Sequence, residues 1–402
     1  MDLDLMRELS VSTDSKIVLL VLDGLGGLPM DLLGRTELEA ANTPNLDALA
    51  ARSDLGLSRP VAAGVSPGSG PGHLALFGYD PLEYAVGRGV LSALGVGFEL
   101  GENDLAARIN FATKDESGKI SDRRAGRIAT SDAAKLVDLL SENVELDGAE
   151  VFVTHEKEHR AVVVFRAEGL SDALADSDPQ RVGLAPPPVQ PTSDDPGDKK
   201  SAELANSFIE QADQILADHH PANTVLLRGF GMHPALPKFD EIYELSAAAI
   251  AGYPMYKGLA RLAGMEVLQE GEGIAGEFET LRNNWGSYDF FFVHVKAPDA
   301  AGEDGDFERK SAVIEEVDAL VPGLLDLDPD ALAVTGDHAT PAKMKSHSWH
   351  GVPFLLSSEY TLPTAEGFGE RACASGSLGV FPAEEIMGLL MGHALKLNRY
   401  GA

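Results

Sequence analysis

Three short runs of the chain are apolar at almost every position. They span residues 17–22, 290–295 and 331–335, and they are rich in β-branched and aromatic side chains. Uninterrupted apolar runs of this length predict strands that are buried on both faces of a parallel sheet. Helical patterns near 307–325 and 383–396 accompany them. The pattern therefore predicts an α/β fold with a mostly parallel sheet between layers of helices.

The middle of the chain has a different pattern. Residues 105–113 alternate between apolar and polar side chains, which is typical of a half-buried strand. The other predicted elements of this stretch are strands at 149–154, 160–166 and 224–227, helices near 131–142 and 202–217, and a long loop at 167–200. We predict an inserted α+β domain over residues 104–238, and a larger domain formed by 1–103 and 239–402, with residues 1–15 as a polar lead-in.

Composition limits the possible partners. The formal net charge of the 402 residues is −31 and the isoelectric point is about 4.6. Nucleic acids and anionic membranes bind basic surfaces, so neither is an expected partner. The single cysteine, Cys373, cannot form an internal disulfide, and no run is apolar enough to span a bilayer. The acidic start does not fit a signal peptide, so we expect a cytoplasmic protein.

Candidate metal ligands follow the three apolar runs. Asp23 follows the first, Asp299 follows the second with Glu303 four residues later, and Asp337-His338 follows the third. Each alone could be a turn residue or a helix cap. The carboxyl ends of parallel strands share one sheet edge, however, and carboxylates with imidazoles suit divalent metals such as Zn²⁺, Mn²⁺ or Co²⁺.

A serine that could act as a nucleophile lies in a turn rich in glycine and proline. Glycines flank Ser69 on both sides, and an apolar helical run follows it. A hydroxyl at a helix start lies where anions bind well, because free N–H groups and the helix dipole both point outward. Ser66 is the nearest alternative hydroxyl, and a purely structural loop is the alternative explanation for the whole turn.

Several motifs, in order along nearly the whole chain, carry a family resemblance. They are Val21–Gly27, Pro67–Ser69, His73–Pro81, Gly87–Gly89, Asp122–Arg127, Tyr253–Arg261, Thr335–His338 and His347-Ser348. In these motifs the chain resembles the archaeal-type branch of the cofactor-independent phosphoglycerate mutases, members of the alkaline phosphatase superfamily. The resemblance implies an alkaline-phosphatase-like domain that carries an inserted smaller domain.

The resemblance also implies two metal sites. Asp23, Ser69, Asp337 and His338 would bind one divalent ion, and Asp299, Glu303 and His347 would bind the other. Many relatives carry histidine where Glu303 stands, and relatives often have an acidic or hydroxyl residue directly after the serine. A carboxylate is a harder ligand than imidazole, so Mn²⁺ is the favoured ion, with Mg²⁺, Co²⁺ or Zn²⁺ as alternatives.

The implied reaction interconverts 3-phosphoglycerate and 2-phosphoglycerate through a phosphoserine at Ser69, without bisphosphoglycerate as a cofactor. Lys257 would stabilise the transferring phosphoryl group, and Asp122 or a nearby histidine would move the proton. The insert would cover the site and bind the anionic substrate through basic side chains. The residues implied for substrate binding are Arg108, Arg123, Arg127, His155, Arg160 and Arg228.

Two other functions are compatible with the same residues. A metal-dependent phosphomonoesterase, or another phosphomutase of the superfamily, would share the metal ligands but differ in the insert. A catalytically silent binding protein would keep the fold, and Glu303 is the one feature that favours it. The sequence predicts no oligomeric state.

Overall fold

The computed structural model describes residues 2–401 and divides into two compact units. Unit 1 comprises the chain up to Ala85 and from Leu236 onward, and unit 2 comprises Val86–Ala235. The strands are β1 (Ile17–Leu22), β2 (Asp54–Arg59), β3 (Asp104–Lys114), β4 (Ile120–Asp122), β5 (Glu150–Lys157), β6 (Arg160–Arg166), β7 (Thr224–Met232), β8 (Ala247–Ala251), β9 (Glu266–Val267), β10 (Phe290–Val295), β11 (Ala331–Thr335), β12 (Val352–Ser358) and β13 (Gly379–Pro382).

Helices connect most of these strands. They are α1 (Leu3–Leu9), α2 (Glu37–Ala40), α3 (Pro44–Ala50), α4 (Ser69–Leu76), α5 (Arg88–Gly95), α6 (Thr130–Asn143), α7 (Pro196–Leu216), α8 (Phe239–Tyr243), α9 (Pro254–Leu262), α10 (Gly273–Asn284), α11 (Ala297–Asp304), α12 (Phe307–Leu325), α13 (Glu370–Ala374) and α14 (Ile386–His393), with short 3₁₀ turns at Ala125–Arg127 and Ala383–Glu385. No helix in the described part of the chain is both long and apolar enough to cross a membrane.

Unit 1 is built on an eight-stranded sheet of order β13-β2-β12-β11-β1-β10-β8-β9. β12 runs antiparallel to both of its neighbours, and the other pairs are parallel. Every residue of the central strands β11, β1 and β10 is buried, because helices cover both faces. The continuous apolar runs predicted from the sequence are these three central strands.

Unit 2 is an antiparallel sheet covered by helices. β3 pairs with β4, β6 and β7, and β5 pairs with β6. Helices α6 and α7 contribute the apolar side chains Leu136, Leu140, Phe208 and Leu216 to a core shared with the alternate residues of the strands. This is the α+β architecture that the alternating pattern predicts.

The predicted fold class is confirmed, with three local differences. Helix α1 occupies the stretch predicted as a polar lead-in, because Asp2 caps its first turn and Leu3 and Met6 are buried. Strand β7 continues to Met232 instead of ending near 227. Unit 2 begins at Val86 and ends at Ala235, whereas the insert was predicted over 104–238.

The earlier start of unit 2 has a steric basis in helix α5. A Cβ atom on Gly89 would lie 2.3 Å from the carbonyl oxygen of Ala106 in β3, so this glycine lets the helix approach the strand backbone closely. A Cβ on Gly87, just before the helix, would likewise lie 2.9 Å from the carbonyl oxygen of Phe230 in β7. The helix therefore packs on the unit 2 sheet.

Replacing Gly89 by alanine is expected to destabilise unit 2 by about 1–3 kcal/mol, because the new methyl group overlaps a backbone oxygen that cannot move away. The measurement is urea unfolding followed by circular dichroism. Gly101→Ala is the matched control, since its methyl group would meet its nearest atom at 3.6 Å. Equal stability of the two variants would contradict the close packing of α5.

Candidate metal centre

The central strands of unit 1 end in register at one edge of the sheet. Val21 pairs with both His294 and Thr335, so the residues that follow β1, β10 and β11 emerge side by side. Asp23 directly follows β1, Asp299 lies in the first turn of α11, and Asp337 and His338 follow β11. The parallel register thus brings these predicted ligands together, as the sequence pattern indicates.

The first group of candidate ligands consists of Asp23, Asp337 and His338, whose facing atoms all lie within 4.8 Å of one another. His338 Nε2 is 3.1 Å from Asp337 Oδ2 and 3.5 Å from Asp23 Oδ1. Both carboxylate oxygens are buried and have no hydrogen-bond partner among the described residues. Buried acceptors that face one another without a proton donor fit a bound cation, so these residues suit a divalent metal.

Ser69 lies beside this first group. It is the first residue of α4, and its Oγ is 3.1 Å from His338 Nε2. The carbonyl oxygen of Ser69 accepts a hydrogen bond from His73 Nδ1 at 2.8 Å, one turn later in the same helix. The hydroxyl is therefore held at a helix N-terminus and next to the candidate ligands, which is the placement a phosphoryl acceptor needs.

The second group consists of Asp299, His338 and His347. The rings of His338 and His347 stack with centroids 3.7 Å apart, so His338 belongs to both groups. His347 Nδ1 donates to the carbonyl oxygen of Pro67 at 3.0 Å, and this leaves a lone pair on Nε2, 3.6 Å from Asp299 Oδ1. Glu303 lies outside the compact group: its side chain is 57% exposed, and Oε1 is 3.8 Å from His347 Nε2.

Cationic and polar groups offset the buried carboxylates. Asp23 Oδ2 accepts from His294 Nε2 and from Lys296 Nζ, each at 3.1 Å, and Lys296 also pairs with Asp299 Oδ2 at 2.6 Å. Burial alone would raise the pKa of Asp23, but the hydrogen bond from His294 and the charge of Lys296 hold that pKa well below its ordinary value. Burial alone would lower the pKa of Lys296, but the charges of Asp23 and Asp299 raise that pKa above its ordinary value.

Sequence reasoning did not select several residues that the structure places in this centre. His294 and Lys296 belong to the same strand end as Asp299, so the rule that identified Asp23 could have identified them. His73 lies one helical turn after Ser69, and the charge of the neighbouring Asp337 raises its pKa against the opposing effect of burial. Thr340, two residues after His338, had no sequence signal at all.

Lys257 lies on α9 in unit 1. Its ammonium group forms an ion pair with Glu270 at 2.9 Å and bonds none of the candidate ligands among the described residues. The lysine that contacts the candidate ligands is Lys296 instead.

Glu277, on α10, is buried, and its burial together with the charge of Glu270 raises its pKa from 4.5 to about 8.

Two predicted residues of unit 2 have structural partners. Both carboxylate oxygens of Asp122 accept backbone N–H groups, from Arg124 and Gly126, each at 2.8 Å. This carboxylate therefore caps a turn. Arg123 donates through two nitrogens to the buried Asp178, at 2.8 and 2.7 Å, and that carboxylate raises the pKa of Arg123. Neither side chain is left free in the way a proton carrier or a primary anion ligand would be.

Of the other predicted arginines of unit 2, Arg108 pairs with Glu156 at 3.6 Å and Arg228 pairs with Asp178 at 3.3 Å. Arg108 in β3 lies opposite Arg228 in β7. Burial lowers the pKa of Arg108, and the charges of Arg160, Arg88 and Arg228 lower it further, although Glu156 acts in the opposite direction. No described carboxylate lies within ion-pair distance of Arg88 or Arg160.

Two other predicted residues lie in turns of unit 2. Arg127 has a φ of 53° and follows Gly126 at 64° and Ala125 at 45°, so this turn holds three successive residues in the left-handed region. Such backbone is costly for residues other than glycine, and it occurs often where ligands bind. His155 Nε2 forms a hydrogen bond with the carbonyl oxygen of Glu158 at 3.0 Å.

Comparisons with known proteins identify similar chains. A family model described as 2,3-bisphosphoglycerate-independent phosphoglycerate mutase matches residues 50–223. A protein of Thermotoga maritima named "Probable 2,3-bisphosphoglycerate-independent phosphoglycerate mutase" is 50% identical over 402 residues, covering 99% of each chain. A Thermus thermophilus protein of the same name is 52% identical and covers 99% of this chain and 98% of its own length.

Two solved structures are similar over nearly the whole chain. The cofactor-independent phosphoglycerate mutase of Thermoplasma acidophilum has a TM-score of 0.76 and 36% identity, covering 94% of this chain and 100% of its own. A protein of Pyrococcus horikoshii has a TM-score of 0.80 and 31% identity, covering 97% of this chain and 100% of its own.

The buried acid Glu277 is expected to make the unfolding free energy depend on pH. Because its pKa is about 8 in the folded chain and 4.5 ordinarily, unfolding releases a proton between these values, and stability falls as the pH rises through this window. Glu277→Gln, which mimics the neutral acid, is expected to flatten this fall in urea titrations from pH 5 to pH 8. Glu279→Gln, at an exposed position of the same helix, is the control. An unchanged slope in Glu277→Gln would disprove the assignment.

Proposed function

The chain belongs to the 2,3-bisphosphoglycerate-independent phosphoglycerate mutase family, and on this basis we propose that it interconverts 3-phosphoglycerate and 2-phosphoglycerate through a phosphoserine at Ser69. The observation that carries the proposal is the placement of Ser69 Oγ 3.1 Å from His338 Nε2, at a helix N-terminus and beside two orphaned carboxylate oxygens. We propose that the reaction needs no bisphosphoglycerate, as the description of the family implies.

Two divalent ions are part of the proposal. Asp23, Ser69, Asp337 and His338 would hold one ion, and Asp299, His347 and Glu303 would hold the other, with His338 next to both groups. When bound, such ions lower the pKa of a coordinated hydroxyl and offset the charge of a phosphoryl group. The buried acceptors Asp23 Oδ1 and Asp337 Oδ2 support this assignment, because without a cation their lone pairs repel one another.

The proposed transfer proceeds in two displacements on one phosphorus atom. Ser69 Oγ gives up its proton and attacks the phosphorus, the bond from phosphorus to the glycerate oxygen breaks, and the departing oxygen takes up a proton. The glycerate then presents its other hydroxyl, which loses a proton and attacks the phosphoserine, and Ser69 Oγ leaves and takes up a proton. The free N–H groups at the start of α4 and the ammonium of Lys296 stabilise the charge on the phosphoryl oxygens. We assign this role to Lys296 before Lys257, because Lys296 contacts the candidate ligands Asp23 and Asp299, whereas Lys257 pairs with Glu270.

Unit 2 is proposed to bind the substrate's anionic groups. Arg108, Arg160 and Arg228 are the strongest candidates. Arg160 has no carboxylate partner among the described residues, and although Arg108 pairs with Glu156 and Arg228 with Asp178, the repulsion among the three cations decreases when an anion binds. Arg127 joins them from its left-handed turn. Arg123 and Asp122 are proposed to support this surface: Arg123 shares Asp178 with Arg228, and Asp122 fixes the turn that carries Arg127. His155 is proposed to bind the substrate, and a nearby histidine, rather than the engaged Asp122, is proposed to carry the proton.

A coupled assay tests the proposed reaction. Protein loaded with Mn²⁺ is incubated with 3-phosphoglycerate without bisphosphoglycerate, 2-phosphoglycerate is measured by conversion with enolase, and free phosphate is measured in parallel. We expect 2-phosphoglycerate without release of phosphate, and we expect Ser69→Ala to abolish it because Ser69 Oγ is the hydroxyl that faces His338 Nε2 and the candidate ligands of the first group. Ser66→Ala is the control and should retain activity.

The other outcomes of this assay each identify a different function. Release of phosphate without 2-phosphoglycerate would indicate a phosphomonoesterase. Absence of both products with Mn²⁺, Mg²⁺, Co²⁺ and Zn²⁺ would indicate a binding protein without catalytic activity.

Glu303→His is expected to shift the metal preference. The carboxylate lies 3.8 Å from His347 Nε2, where a harder oxygen ligand favours Mn²⁺ or Mg²⁺ and an imidazole favours Zn²⁺ or Co²⁺. Competition binding of Mn²⁺ and Zn²⁺, followed by elemental analysis of the dialysed protein, should show a rise in the Zn²⁺ share. Glu308→His, outside the centre, is the control, and an unchanged ratio in Glu303→His would exclude this glutamate as a ligand.

A further inference from the structure

Thr340 connects the two groups of candidate ligands. It lies in the segment after β11 and is fully buried. Its Oγ1 is 2.6 Å from Asp299 Oδ1 and 3.0 Å from His338 Nδ1. This single hydroxyl therefore contacts a carboxylate of one group and the imidazole that belongs to both.

The proton count at Thr340 determines the tautomer of His338. The Asp299 carboxylate, which also forms an ion pair with Lys296, can only accept a hydrogen bond, so the threonine hydroxyl donates to it. The oxygen of that hydroxyl then accepts from His338, and the imidazole proton must be on Nδ1. In the other tautomer, the single proton of Thr340 would have to serve two acceptors.

This tautomer leaves the lone pair of His338 on Nε2. That atom faces Ser69 Oγ at 3.1 Å and Asp337 Oδ2 at 3.1 Å. The Nε2 lone pair is the one that can bind a metal ion or accept from the serine hydroxyl. The hydrogen bonds of Thr340 thus determine that the lone pair of His338 is on Nε2, on the opposite side of the imidazole ring.

The main chain of Thr340 is held rigidly. Its N–H donates to the carbonyl oxygens of Gly24 and Gly26, at 3.2 and 3.1 Å. Lys310 Nζ is fully buried and donates to the carbonyl oxygens of Gly24, Gly26 and Thr340, at 2.8, 3.0 and 2.9 Å, which uses all three of its N–H bonds. A Cβ on Gly24 would lie 2.6 Å from Thr340 Oγ1, so the glycine leaves the space that this hydroxyl occupies.

We propose that Thr340 is a positioning residue that fixes the tautomer of His338 and the orientation of Asp299, and thereby prepares both groups to bind divalent ions. The proposal rests on the proposed function for its role in catalysis. Its structural content, the Nδ1–H tautomer and the metal affinity, can be measured without turnover.

The experiment compares Thr340→Val, which keeps the shape but removes the hydroxyl, with Thr340→Ser, which keeps the hydroxyl. The full-length protein is labelled with ¹⁵N-histidine, and the His338 signals are assigned by their loss in His338→Gln. We expect Nδ1–H in the wild type and in Thr340→Ser, and a mixture of tautomers in Thr340→Val. Titration with Mn²⁺ should show about 10- to 100-fold weaker binding in Thr340→Val, and kcat should fall more than KM changes.

Thr335→Val is the matched control for loss of a buried hydroxyl. Thr335 is also fully buried, at the end of β11, but its Oγ1 donates to the carbonyl oxygen of Pro353 at 2.9 Å and to none of the candidate ligands among the described residues. The Thr335→Val variant should be less stable than the wild type, without a change in the tautomer of His338 or in the affinity for Mn²⁺. If Thr340→Val behaves in the same way, the positioning role is wrong. If the tautomer and affinity change as expected but the wild type has no mutase activity, the proposed function alone is wrong.

Discussion

The repulsion between buried carboxylates is the constraint on which the centre of unit 1 depends. Asp23, Asp299 and Asp337 are nearly or completely buried at one sheet edge, where little water screens their charges. The protein offsets this cost locally: Lys296 pairs with two of them, and the backbone N–H of Gly24 donates to the third. Two carboxylate oxygens nevertheless remain without donors, and this residual cost is lowest when cations are bound.

The sequence predicted this edge well because its geometry follows from a simple rule. A strand buried on both faces is apolar at nearly every position, so the acidic residues that follow it mark where the chain leaves the core. Asp23, Asp299 and Asp337 are such residues, and the structure places them together. Ser69 was equally predictable, because glycines and a following apolar run mark the start of a helix. The alternating pattern of residues 105–113 likewise predicted the antiparallel sheet of unit 2.

Residues that depend on distant partners could not be predicted. The pairing of Arg123 with Asp178 crosses a long loop whose course no local pattern determines. The engagement of Lys257 by Glu270, and the contact of Lys296 with the ligands, depend on how α9 and α11 pack on the sheet. The packing of α5 on the unit 2 sheet depends on the approach of Gly89 to Ala106, which is visible only in three dimensions. The hydrophobic pattern of the sequence thus predicts where strands end, whereas the packing of the folded chain determines which charged side chains contact one another.

The bonding of Lys310 bears on how this protein can change during evolution. Its ammonium group binds main-chain oxygens, which every amino acid possesses, so it holds the segments after β1 and β11 together regardless of many side chains around them. Substitutions at neighbouring surface positions can accumulate without moving the centre. A change of Lys310 itself would release both segments at once, and arginine could not replace it, because a planar guanidinium cannot direct three bonds from one atom. We therefore expect the centre to tolerate substitutions on the surrounding surface but not a change of this buried lysine, although Lys310 bonds none of the candidate ligands among the described residues.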